Sequence, residues 1–311
     1  MADQYILGLD IGGTKIEAAL FTADVTTGPI SSKRIATERE RGYQNVLERL
    51  SQLIIELLAE NSIAWPSLKA IGVGLPGTVD PQKQVMLNGN SQIFIGKSFA
   101  KDLNQYFESP VEILCNNDAS CFALAEAKLG AGLKYREQFG IPLSQQISIG
   151  IILGTGCGGG IISNGKILNG QNGGGGEIGH STLISNGHSC YCGRKGCAEQ
   201  YLCGPALERS YGEKIAAREL FERAGAGEQK AIDCLQSYQK NLIEFLTNLT
   251  SIFDPHFFVL GGGLSKQALL YQSLEKGLHA QTFVPQSNPV VYQHKVSDSA
   301  GVIGAALLTL P

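Results

Sequence analysis

Residues 5–21, YILGLDIGGTKIEAALF, read as two strands joined by a glycine turn. The segments 5–9 (YILGL) and 16–21 (IEAALF) are apolar and too short for helices, and Gly12-Gly13 supply the bend. The same idea returns later. A strand at 147–153 (ISIGIIL) runs into a turn from Gly154 to Gly160, and Ile161-Ile162 begin another strand before the hairpin signal Asn164-Gly165. The chain therefore carries two copies of strand, glycine turn bearing a Thr, strand. The first is Asp10 to Lys15 and the second Gly154 to Gly158. This pattern predicts two α/β halves with a cleft between them, where ligands commonly bind.

The remaining elements fill in each half. Val46, Leu47, Leu50, Leu53, Ile54, Leu57 and Leu58 form one stripe, which predicts a helix over 43–60. Strands are expected at 69–75 and 111–115, and a helix from Asp118 that stops at Gly130. The polar stretch 130–146 reads as a surface connection. A helical period predicts a long helix over 228–252, closed by Asp254-Pro255. Residues 257–260 are a strand entering Gly261-Gly262-Gly263, and a last helix covers about 298–309.

The glycine turns invite comparison with phosphate-binding loops. Gly8 to Lys15 approaches a P-loop but ends Thr-Lys, and β-like residues follow where that motif needs a helix, so the P-loop and dinucleotide readings both fail. A turn between strands can still cradle phosphate, because successive backbone N–H groups form an anion nest. Thr14 and Thr155 add hydroxyl donors, and Asp10 adds a carboxylate suited to a magnesium hydration shell. With the third turn at Gly261–Gly263, the pattern predicts nucleotide binding. The alternative is a set of ordinary hairpins.

A second constellation lies at 177–201, EIGHSTLISNGHSCYCGRKGCAEQY. Cys190, Cys192 and Cys197 sit in one short loop, and a histidine upstream completes the four N/S ligands of a structural zinc site. His180 and His188 serve equally on spacing. Disulfide pairing is the rival, but it suits secreted chains, and the start MADQY shows no secretory signal. A closed metal site would hold its neighbours Glu177 and Glu199 still. Elsewhere, Asn116-Asn117-Asp118 ends a strand and opens a helix. Asp118 is there either a helix N-cap or a base at a strand end. Phosphoryl transfer to a hydroxyl needs such a base beside a metal.

Net charge is −3 with no block of Lys or Arg, so a nucleic-acid footprint is missing. No apolar run approaches the ~20 residues that span a bilayer. A cytoplasmic protein with no membrane or nucleic-acid partner is expected.

Taken together, LDIGGTK (9–15), NNDASCFALAEA (116–127), LGTGCGGG (153–160), GEIGH (176–180), CYCGRKGCAE (190–199) and VLGGGLS (259–265) resemble the ROK family of sugar kinases and related repressors. The strings follow the family's order over nearly the whole chain. The resemblance implies two actin-like (ribonuclease-H-like) α/β domains with ATP and sugar in the cleft. Residues 1–118, joined by the C-terminal helix at about 298–311, are expected to form one domain, and 119–297, with the zinc loop 180–197, the other. It implies Asp118 as the general base for the sugar 6-hydroxyl, and Asn117, Glu177, His180 and Glu199 as sugar ligands, with Asn90 beside them. It assigns Asp10, Gly12, Gly13, Thr14, Lys15, Thr155, Gly156, Gly261, Gly262 and Gly263 to ATP and Mg2+. For zinc it selects His180, Cys190, Cys192 and Cys197, and it makes His188 a loop residue. A homodimer is expected. The first strand begins at Tyr5, which leaves no room for a repressor's helix-turn-helix, so a kinase is expected over a sugar-sensing regulator. The stretch 76–103 is fructokinase-like and points to a free hexose (fructose, mannose or glucose), with an N-acetylhexosamine (GlcNAc or ManNAc) as the alternative. The glycine-rich run Gly173–Gly176 reads as a flexible lead into Glu177.

Overall fold

The computed structural model describes residues 4–310; the acidic start at 1–3 and Pro311 lie outside the described residues. By internal contacts the chain divides into two compact units. The first comprises Met1–Leu129, Leu168–Gly175 and Val296–Pro311, and the second Gly130–Ile167 and Gly176–Lys295.

The first unit is built on β1 (Tyr5–Ile11), β2 (Lys15–Thr22), β3 (Ser31–Ala36), β4 (Leu68–Leu75) and β7 (Glu112–Asn117), in the order β3-β2-β1-β4-β7. The first three strands form an antiparallel meander, and β4 and β7 join parallel to β1. A small hairpin, β5 (Gly77–Val79) and β6 (Met86–Gly89), follows β4. Helix α1 (Tyr43–Glu60) buries the predicted stripe, with Leu50, Ile54 and Leu57 fully enclosed. Leu50→Ala there should cost about 2–5 kcal/mol, the usual penalty for a core cavity. Helix α2 (Phe99–Asn104) closes the same core.

Helix α3 (Asp118–Leu129) packs on α10 (Ala300–Leu307), so it belongs to the first unit and does not open the second. The reason lies in α3 itself, which is buried on nearly every side from Ala119 to Ala127. A Cβ at Gly304 of α10 would lie 1.8 Å from Cys121 O, a distance only glycine permits.

The second unit repeats the plan. Its sheet, β10-β9-β8-β11-β12, is made of β8 (Ile147–Leu153), β9 (Cys157–Ser163), β10 (Lys166–Ile167), β11 (Phe257–Gly261) and β12 (Val290–Gln293). The first three are again antiparallel neighbours, and β11 and β12 again run parallel to β8. Helices α5 (Glu199–Leu202), α6 (Gly204–Tyr211), α7 (Ala217–Gly225), α8 (Gln229–Phe253) and α9 (Leu274–His279) accompany it. The polar stretch after Gly130 is not a mere connection. It forms α4 (Ala131–Phe139), whose Tyr135 is buried and stacks on Phe257 with ring centroids 5.3 Å apart. With Ala131 and Gly132 also buried, this aromatic anchor seats a short helix whose C-terminal half is exposed. Among the described residues no helix is long and apolar enough to cross a membrane.

Candidate active site

In the first unit the glycine turn leads from β1 into its antiparallel neighbour β2, so no helix follows it. Gly12 N donates to Lys15 O at 2.9 Å. Thr37 braces the turn from the side: its amide donates to Thr14 O at 3.0 Å and its hydroxyl to Gly12 O at 2.7 Å. Thr14 and Lys15 stand exposed on it. A Cβ on Gly13 would lie 3.2 Å from Arg39 Nη1, so a guanidinium overhangs the turn. Sequence reasoning missed this cation because it sits in an unremarkable charged run 26 residues later, RER at 39–41.

Asp10 lies just before this turn, against glycines on two elements. A Cβ at Gly74 of β4 or Gly301 of α10 would stand 3.4 or 2.5 Å from its carboxylate oxygens. Burial first, and then the neighbouring Glu17 carboxylate, push its pKa up to about 6, while Lys15 and Arg34 pull the other way.

Asp118 and Asn117 divide the work at the start of α3. Asn117 Oδ1 accepts from Ala119 N at 2.9 Å and Ser120 N at 3.2 Å, and its Nδ2 donates to Gly77 O at 3.2 Å. Asn117 therefore caps the helix, and one of its amide hydrogens remains beyond the bond to Gly77. Asp118 Oδ1 receives the adjacent Ala119 N at 2.8 Å. Its alternative role as the cap is largely taken by its neighbour. Asn116 Nδ2 donates to Asn169 Oδ1 at 3.0 Å, which ties β7 to the 168–175 segment. Asn90 is exposed, directly after β6.

In the second unit the cysteine loop folds back on itself through bridges between Thr182 and Cys197 and between Ser189 and Lys195. Gly196, at φ +77°, lies so close to Ile184 O that a Cβ would come within 1.7 Å. One ligand atom from each of His180, Cys190, Cys192 and Cys197 falls within 4.8 Å of the others. Cys190 Sγ is 3.6 Å from His180 Nδ1, and Cys192 Sγ is 3.6 Å from Cys197 Sγ. Ligands about 2.0–2.3 Å from a tetrahedral zinc stand roughly 3.5–3.8 Å apart, so the donor set and these two 3.6 Å pairs are compatible with that ion. His188 points elsewhere: its ring lies 5.2 Å from that of Tyr201. His180 Nε2, the nitrogen turned away from the cysteines, is 3.0 Å from the exposed Tyr191 hydroxyl.

The cysteine loop also reaches the second glycine turn. Glu199 Oε2 accepts from Cys157 N at 3.1 Å, and a Cβ on Gly156 would lie 2.7 Å from the same oxygen. A Cβ on Gly179 would meet Cys157 O at 1.8 Å. The turn is held further by Gly204 N, which donates to Gly154 O at 2.7 Å, while Thr155 stays exposed. The third turn is built as tightly: Gly262, at φ +80°, would bring a Cβ to 2.4 Å from Leu153 O. Three of the four glycines before Glu177, Gly173, Gly175 and Gly176, are likewise required by close packing, whereas Gly174 faces open space. A Cβ at Gly175 would meet Leu168 O at 2.0 Å, and one at Gly176 would meet Gly159 O at 2.5 Å. Glu177 itself is exposed, and its carbonyl accepts from His180 N at 3.1 Å.

Known proteins share this plan over their full length. N-acetyl-D-glucosamine kinases from Pectobacterium carotovorum and Mannheimia succiniciproducens are each 34% identical to the chain, over 97–98% of it and 98–99% of their own lengths. Among solved structures, the ROK hexokinase of Thermus thermophilus superposes with a TM-score of 0.81 at 30% identity, covering 98% of both chains. A ROK family glucokinase from Streptomyces griseus, solved with glucose and AMPPNP, superposes at 0.77 with 27% identity over 98% of both. The two α/β units are actin-like (ribonuclease-H-like) domains. A model of the ROK family matches residues 6–311, and with the repeated sheets and the motif residues in place the chain belongs to that family.

Proposed function

We propose that the chain is an ATP-dependent kinase that phosphorylates the 6-hydroxyl of N-acetylglucosamine or a close N-acetylhexosamine. Sugar kinase is the activity that its full-length relatives share. The N-acetyl reading rests on one observation, the end-to-end likeness to N-acetyl-D-glucosamine kinases. It replaces the fructose, mannose or glucose expected from the 76–103 stretch. A glucose-type hexose stays as the second reading, because the T. thermophilus hexokinase is nearly as similar.

In this reading Asp118 takes the proton of the attacking hydroxyl, and its place at the junction of β7 and α3, beside an Asn117 that caps the helix, supports that role. Asn90, Asn117, Glu177, His180 and Glu199 hold sugar hydroxyls, His180 through Nε2 once Tyr191 yields it. The glycine turns, with Thr14, Lys15 and Thr155, hold the phosphates of ATP. Asp10 faces the hydration shell of Mg2+, which when bound neutralises phosphate charge. Zinc, held by His180, Cys190, Cys192 and Cys197, is structural: it fixes the loop from which Glu177 and Glu199 project. The protein acts in the cytoplasm, as a homodimer.

The test is kcat/KM with ATP across N-acetylglucosamine, N-acetylmannosamine, glucose, mannose and fructose. An N-acetyl sugar should lead by at least about tenfold, a difference of 1.4 kcal/mol in transition-state binding. A free hexose leading the panel would return the substrate to the second reading.

A further inference from the structure

Three charged side chains form a row across the first sheet, and only the first belongs to a site described so far. Asp10 on β1 stands directly opposite Glu17 on β2, and Glu17 directly opposite Arg34 on β3. Opposed residues on antiparallel strands place their Cβ atoms about 5 Å apart on the same face. Glu17 is only 3% exposed. Its charge is met from the side away from Asp10. Arg34 Nε lies 2.9 Å from Oε2 and Nη2 donates to Oε1 at 3.1 Å, a forked pair. Ser299 Oγ, just before α10, donates to Oε1 at 2.6 Å and accepts from Arg34 Nη2 at 3.2 Å. The first turn of α10 also touches Asp10 through Gly301. An ion pair with one buried and one half-exposed partner is weak evidence for stability. A charged row ending at Asp10 calls for another reason.

We infer that Glu17 and Arg34 are positioning residues that set, with opposite signs, how tightly Asp10 holds the divalent cation of the nucleotide. The inference rests on the reading that Asp10 serves that cation. Glu17 adds negative charge beside Asp10 and draws the cation in. Arg34, one strand further out, holds Glu17 in place and offsets part of its charge. Removing the carboxylate should weaken cation binding, and removing the guanidinium should strengthen it. A purely structural pair would behave differently, because loss of either member would loosen the same hairpin.

The experiment uses Mn2+ as a paramagnetic probe, with free Mn2+ counted by electron paramagnetic resonance in the full chain saturated with AMPPNP. Glu17→Gln should raise the Mn2+ Kd by about tenfold, and Arg34→Gln should lower it by about threefold, the smaller effect of a more distant and half-exposed charge. The double variant should return to within about threefold of the wild type, since the two charges it removes offset one another. Both single variants weakening Mn2+ binding, or Glu17→Gln leaving it unchanged, would overturn the inference. Asp10→Asn separates the two levels. If it leaves Mn2+ binding intact, the role of Asp10 fails and the inference with it. If it abolishes binding while Glu17→Gln does nothing, only the inference fails. Should Arg34→Gln not fold, because it strands a buried carboxylate, Glu17→Gln and the double variant still decide.

Discussion

The two sheets share one plan, yet their glycine turns are supported differently. The turn at Gly12–Lys15 is braced within its own unit by Thr37 and overhung by the guanidinium end of Arg39. The turn at Gly154–Cys157 is clamped by Glu199, which projects from the end of the cysteine loop, and by Gly179 near its start. The same topological position is therefore autonomous in one unit and coupled in the other. A perturbation of the first turn should stay local. A perturbation of the second should pass to the cysteine loop and return from it.

The largest expected effect lies outside both turns and tests the division of labour at α3. Asp118→Asn should lower kcat by about 10²–10⁴-fold, the usual worth of a general base, with little change in melting temperature. Asn117→Ala should instead cost about 1 kcal/mol of stability through the lost cap. Kinetics and thermal melts on both variants check this. If Asp118→Asn melted early and kept its turnover, the roles of the two residues would be reversed.

Next in size is the metal. The purified protein should hold about one zinc per chain, and Cys192→Ser or His180→Ala should lose it, whereas His188→Ala should keep it. Because Glu199 bridges the loop to the second turn, zinc loss should weaken ATP as well as sugar binding. Distance along the chain alone suggests an effect confined to the sugar. Elemental analysis with titration calorimetry for each ligand distinguishes these outcomes.

The two turns can then be compared directly. Gly13→Val meets only the end of a flexible arginine, and should raise the KM for ATP roughly tenfold with sugar affinity unchanged. Gly156→Val drives into the Glu199 carboxylate and should weaken both ligands. Equal effects of the two variants on sugar affinity would erase the contrast between the turns.

The smallest effect concerns the stability cost of Asp10. Its folded pKa is raised to about 6 from an ordinary 3.8, so the folded state prefers the protonated acid. Stability is then lost as pH rises from about 4 to about 6, and the full cost remains above that. Some of the carboxyl still meets water, so the cost is on the order of 2 kcal/mol. Asp10→Asn without added magnesium should be more stable than the wild type at pH 8 and no different at pH 4. Denaturant melts at the two pH values check the sign.

How much of this was legible in the sequence depended on what each residue had to declare. Helix α1 was read with its observed ends because a long apolar stripe has one helical solution. Strand β9 was entered four residues late, since Cys157-Gly-Gly-Gly offers almost no side chains to alternate and only pairing with β8 defines it. Edge strand β3, SSKRIA, carries little apolar alternation, and α4 has a single strong anchor. At the site, the spacing of Cys190, Cys192 and Cys197, with no secretory start to favour disulfides, was enough to expect the cluster that these three form with His180. The cap was sought at Asp118 and lies at Asn117, one residue earlier, because both side chains can cap and only the exact helix start decides between them. The bond from Cys157 to Glu199 joins residues 42 apart, and no local pattern encodes it.

The central claim is that this chain moves a phosphoryl group from ATP to the 6-hydroxyl of an N-acetylated sugar. The most direct measurement is 31P NMR of the purified protein with ATP, Mg2+ and N-acetylglucosamine, followed by 13C NMR of the sugar product. ADP and a single phosphomonoester are expected, with the carbon shift and phosphorus coupling at C6. ATP left intact with this and every other sugar offered, or a phosphate carried on a carbon other than C6, would contradict it.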